Sequence, residues 1–157
     1  MIRHALLPLL LAAPLHAQTA PVSQTPASQA DVLQAELRPG WRTADGRQMA
    51  ALHLHLAPHW KTYWRAPGDA GIPPQFDWSG SENVASVRFH WPAPDVFRTN
   101  GMQTVGYHDE LVLPIEVTAK DPRKPVRLMA TFDLGVCKEN SEPATLLLGS
   151  AQTAPGR

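Results

Sequence analysis

Between Gln48 and Leu56 the chain alternates more cleanly than anywhere else. Leu52, Leu54 and Leu56 recur at every second position, with His53 and His55 between them. Successive side chains of an extended strand point to opposite faces, so this period predicts a half-buried strand with leucines inward and both histidines toward solvent. The same period marks residues 32–37, where Leu33, Ala35 and Leu37 interleave with Val32, Gln34 and Glu36. It returns at residues 85–91, where Val87, Phe89 and Trp91 interleave with Arg88 and His90. Runs at 75–78, 111–117, 126–134 and 145–148 read as further short strands. Pro39-Gly40 reads as a turn, Asp45-Gly46 as a hairpin signal, residues 66–74 as a loop and residues 79–81 as a turn. Residues 95–106 read as a polar loop holding Phe97, with a tight turn at Asn100-Gly101. Pro114 marks its strand as an edge or a bulge, residues 120–124 form a charged turn, and Gly135 ends the 126–134 strand beside Cys137.

Short strands at regular spacing, with no helical period past the N-terminus, predict an all-β chain folded as an antiparallel β-sandwich. The immunoglobulin-like arrangement is the commonest of these, although its usual Cys…Trp…Cys core signature is missing. The 157 residues suffice for one domain with a real core. Sixteen prolines and ten glycines agree with short strands and turns. A formal net charge of zero gives no sign of a nucleic-acid or anionic-surface partner.

The N-terminus changes the expected compartment. Arg3 and His4 precede an apolar run at 5–15, and Leu15-His16-Ala17 offers a cleavage site with Gln18 as the mature start. That run is too short to span a bilayer, and no later stretch is longer, so an exported, soluble product is expected. The expected layout is a signal peptide at 1–17, a flexible leader at 18–30 rich in Pro, Ser, Thr and Gln, a sandwich domain at 31–149 and a frayed tail at 150–157.

In an oxidising compartment Cys137, the only cysteine, cannot form a disulfide within the chain. It is either a thiol within a partner's reach or a small apolar residue closing a strand. Lys138 favours the thiolate there, while Glu139 and Glu142 oppose it. The His53/His55 pair is either a start on a zinc or copper site or the wet face of a strand. No Cys or carboxylate nearby completes a set, so no metal and no cofactor is expected. In His59-Trp60-Lys61-Thr62-Tyr63-Trp64-Arg65 the aromatics either form a binding platform with a cationic end or fill a core.

That last segment, extended through Ala66-Pro67-Gly68-Asp69-Ala70-Gly71, is the longest of several matching stretches. Trp91-Pro92, Gly106-Tyr107, Leu111-Val112-Leu113-Pro114 and Val136-Cys137-Lys138-Glu139 follow it. Together, over roughly residues 31–149, they resemble the N-terminal periplasmic domain of the DsbD-type thiol:disulfide interchange proteins, the protein-disulfide reductases. The resemblance implies an immunoglobulin-like sandwich whose cysteine pair takes electrons from a membrane domain and passes them to thioredoxin-like periplasmic partners. It places the first family cysteine on Cys137 and the second on Ser141, with Pro143 matching a family proline. It makes residues 97–101, including Asn100 and Gly101, a cap loop with Phe97 as its lid, and sets Tyr63 and Trp64 beside the site. The family's membrane and C-terminal thioredoxin-like domains are not in this sequence, so the expected electron donor acts in trans.

Serine cannot form a disulfide or resolve one, so a full dithiol cycle within the chain is excluded. Three readings follow. The first is a periplasmic interchange domain acting through Cys137 with an outside thiol. The second is a redox-inactive, protein-binding module of the same fold. The third is a copper-binding protein using Cys137 with histidines or methionines.

Overall fold

The computed structural model describes residues 29–138 and 144–152, with side chains described from Asp31 to Lys138. The signal segment 1–17, most of the leader and Ser141 lie outside the described residues.

One helical turn, α1 (Gln29–Val32), leads into β1 (Leu33–Arg42), β2 (Gln48–Leu56), β3 (Trp60–Gly68), β4 (Gln75–Asp77) and β5 (Val84–Phe89). Then come β6 (Asp95–Thr99), β7 (Met102–His108), β8 (Glu110–Ala119), β9 (Met129–Lys138) and β10 (Ala144–Gln152). They form a four-stranded sheet in the order β1-β2-β8-β5 and a second sheet in the order β10-β9-β3-β7-β6, with β4 paired to β9. The pairings are antiparallel, and the two sheets pack as an immunoglobulin-like sandwich.

The alternating leucines do what their period predicts. Leu52, Leu54 and Leu56 are fully buried and meet Leu111, Leu113, Ile115 and Val117 from β8 and Phe132, Leu134 and Val136 from β9. Each such side chain contributes roughly 1.5–3 kcal/mol on leaving water. Phe76, Trp78, Phe89, Trp91 and Tyr107 add an aromatic wall; Trp91 stacks on Tyr107 at 6.3 Å, and the Tyr107 hydroxyl donates to the Pro92 carbonyl at 3.0 Å. Outside β2, His55 is exposed, while His53 is half-buried and hydrogen-bonded to Glu110.

Several boundaries differ from the sequence expectation. Pro39-Gly40 is no turn: it lies in β1 at an irregularity in the β1–β2 register, and the hairpin turns at residues 43–47, with Gly46 at φ 85°. The loop expected at 66–74 begins only after Gly68, because β3 continues to it. The polar loop expected at 95–106 is instead the β6–β7 hairpin, turning at Asn100 and Gly101 with φ of 52° and 80°. Its polar character comes from β6 being an edge strand, wetted along one side.

Pro114 sits in neither an edge strand nor a bulge but in β8, between β2 and β5. Its carbonyl accepts from His90 N–H at 2.9 Å, so its missing donor also faces that side, one residue past the end of β5. Residues 150–152, expected to fray, belong to β10, where Ala151 and Gln152 pair with Ala130 and Met129.

Candidate functional site

Gly135 does not end β9. The strand runs through it to Lys138, so Cys137 lies within a strand and is only 5 % exposed. A Cβ on Gly135 would lie 2.6 Å from Ile72 Cβ and 2.9 Å from Tyr63 Cδ2. The glycine is there for close approach: the 69–74 loop and the Tyr63 ring pack directly on the β9 backbone. The loop is pinned at its start, where Asp69 N–H donates to Gln103 O and Gln103 N–H donates to the Asp69 carboxylate, both at 2.8 Å.

The register then decides which side chains meet. Lys61 pairs with Cys137 on one side and His108 on the other. Paired residues share a face, and so do residues two apart, so Lys61, Tyr63, Cys137 and His108 stand together on the face turned away from the core. Thr62 and Trp64 alternate to the other face. Thr62 Oγ1 donates to Gly135 O at 2.8 Å, where β9 passes from pairing with β3 to pairing with β4.

Trp64 therefore does not belong to the site beside Tyr63. It packs on the core, and its buried indole N–H has no hydrogen-bond partner among the described residues. The Arg65 guanidinium lies over its ring at 4.8 Å.

Tyr63 is a neighbour of the thiol: it is 2 % exposed, and Cys137 lies near enough to raise its phenol. Burial first, then the adjacent Cys137, holds the phenol protonated well above its usual range, so it is a donor toward sulfur. Cys137 Sγ also lies 3.2 Å from the Lys138 carbonyl.

Lys61 is 7 % exposed; its Nζ sits 3.2 Å from Thr104 Oγ1 and 4.7 Å from the centroid of Phe97. Phe97 lies on the same outer face, paired with Thr104, and meets His108 edge-on at 6.1 Å. His108 contacts Asp109 at 2.6 Å and Asp95 at 3.3 Å.

The structure thus brings Cys137, Tyr63 and, through Lys61, Phe97 into one neighbourhood. Asn100 and Gly101 stand at the exposed hairpin tip. Lys61 and Thr104 do not stand out in the sequence, yet the alternation that puts Tyr63 on the outer face also puts Lys61 there, two positions before it.

The family described as thiol:disulfide interchange protein DsbD, N-terminal, matches residues 29–142. The chain is also similar to the solved N-terminal periplasmic domain of ScsB from Proteus mirabilis, at 30% identity and a TM-score of 0.54. That match covers 76% of this chain and 43% of the solved one, so the chain spans less than half of it. No curated protein matches.

Proposed function

The chain belongs to the DsbD N-terminal family of thiol:disulfide interchange proteins, and on that premise we propose that it is a periplasmic interchange domain working through Cys137 alone. The Cys137 thiolate attacks one sulfur of a thioredoxin-like partner's disulfide. The other partner sulfur leaves as a thiolate, and a mixed disulfide joins the two proteins. Ser141 stands where the family's second cysteine would resolve that bond. Release therefore needs an outside thiol: a small thiol, the partner's own second cysteine, or a membrane electron donor acting in trans. Phe97 is the lid in this reading.

The observation that carries the proposal is the register that puts buried Tyr63 and Cys137 on one outer face, around Lys61. Burial keeps the Tyr63 phenol protonated, so it is available as a hydrogen-bond donor to a neighbouring sulfur.

Incubation with an oxidised thioredoxin-like protein should give a covalent 1:1 adduct on non-reducing electrophoresis, absent for Cys137→Ser. Ser141→Cys should convert that dead end into turnover and form an internal disulfide on mild oxidation, read by mass-spectrometric thiol counting. Catalytic turnover by the parent without added thiol would refute the single-thiol scheme.

The near-complete burial of Cys137 favours a second reading, a protein-binding module without exchange. Failure of the adduct to form, with partner binding intact, selects it.

A further inference from the structure

Lys61 is buried, yet thiol exchange as proposed gives it nothing to do. Lysines are rarely buried so fully unless paired. Among the described residues its ammonium meets two neutral groups: the Thr104 hydroxyl at 3.2 Å and the Phe97 ring, with its centroid 4.7 Å away. Both belong to the β6–β7 hairpin, and they are directly paired across it. The other end of the side chain leaves β3 at the position paired with Cys137. One flexible side chain thus bridges the thiol's neighbouring position and the hairpin.

We infer that Lys61 is a positioning residue that latches Phe97 over the Cys137 face, so that the Lys61–Phe97 contact sets access to the thiol. The inference rests on reading Cys137 as the exchanging thiol. It draws on three facts. First, β6 ends its sheet and, among the described residues, pairs only with β7, so Phe97 can lift without breaking the β3–β7 ladder. Second, Asp95, the acidic residue on Phe97's own strand, lies against His108 of β7, which stays in the β3–β7 ladder. Lys61 Nζ is the charge placed over the ring, and it reaches the ring from β3. Third, a cation–π contact strengthens where water is excluded, while an ammonium released to solvent is readily hydrated. The latch therefore holds when shut and costs little more once opened.

The test is the rate at which N-ethylmaleimide labels Cys137 in the full chain at one fixed pH. Lys61→Met keeps length and loses charge, and should label about tenfold faster, the size of a desolvated cation–π contact. Phe97→Ala should label as fast, and the double variant no faster than either, because both release the same latch. Lys61→Arg should stay slow, since a guanidinium also stacks on an aromatic face. Thr104→Val removes one anchor and should fall between; it decides the matter if Lys61→Met folds poorly. Measuring the urea dependence of labelling separates lid opening, which exposes little surface, from global unfolding. Wild-type labelling by Lys61→Met or Thr104→Val, multiplying effects in the double variant, or fast labelling by Lys61→Arg would each overturn the latch. Maleimide needs no protein partner. A latch confirmed here while no mixed disulfide forms with any thioredoxin-like protein would overturn the exchange reading alone.

Discussion

At the scale of single residues, Gly135 has the narrowest tolerance. Ile72 and Tyr63 occupy the space a methyl group would need, so Gly135→Ala should cost roughly 1–3 kcal/mol by overpacking. A thermal melt should show the loss, and Cys137 should become easier to label as the 69–74 loop is pushed off. Tyr107 gives a pH prediction. Burial raises its phenol to about 12, with Arg65 opposing and Asp95 reinforcing the rise. The unfolded chain ionises this group near its ordinary value of about 10, whereas the folded chain resists ionisation. Stability tied to Tyr107 is therefore fully present below about pH 10 and lost as pH rises through about 12. Tyr107→Phe should flatten the fall in denaturant midpoint across that window, leaving the part due to Tyr63. At neutral pH it should cost only about 1 kcal/mol, for the hydrogen bond to Pro92. Cys137 stands out in the sequence as the only cysteine, and Tyr63 by its place in a long matching motif. The role of Gly135 was not legible there, since a glycine that breaks a strand and a glycine that admits a neighbour look alike until the neighbour is known.

At the scale of elements, alternation was read well where one face is buried and poorly where neither is. β2 came out with its predicted bounds because leucine and histidine contrast so sharply. The β6–β7 hairpin was taken for a loop because an edge hairpin carries polar residues on both faces, although its Asn100-Gly101 turn was plain. The resemblance sets Tyr63 and Trp64 together beside the thiol, but neighbours on a strand face opposite ways. The outer face of β2 supports a further expectation. Replacing exposed His55 by Gln should shift stability by no more than about 0.5 kcal/mol. Replacing His53, whose side chain is 15% exposed and bonded to Glu110, should cost at most about 1 kcal/mol. Melting temperatures of the two single variants check this, and a loss of several kcal/mol at either would mean the face is covered.

At the scale of the whole molecule, the class of fold was legible and the order of strands was not. Class follows from the count and period of short strands, whereas order depends on pairings such as Leu52 with Leu113, which nothing local encodes. Pro114 shows the difference: its missing donor suggested an edge, and only the ending of β5 beside it explains its place in a central strand. Export remains a proposal, tested by sequencing the mature N-terminus, expected at or near Gln18. The chain order also limits when these pairings can form during synthesis. The first sheet cannot close until β8 exists, and the Cys137 strand comes later still, so the pairings that hide the thiol are among the last the chain can make. Folds dominated by such distant pairings form over about milliseconds to seconds. During that interval each chain displays a naked sulfhydryl to every other. Refolding with an oxidant at rising protein concentration should yield covalent dimers in growing proportion, while already folded protein treated identically stays monomeric on a non-reducing gel. Cys137→Ser should abolish the dimers. The burial that shields Cys137 in the finished domain is, for a newborn chain, a race between strand docking and collision.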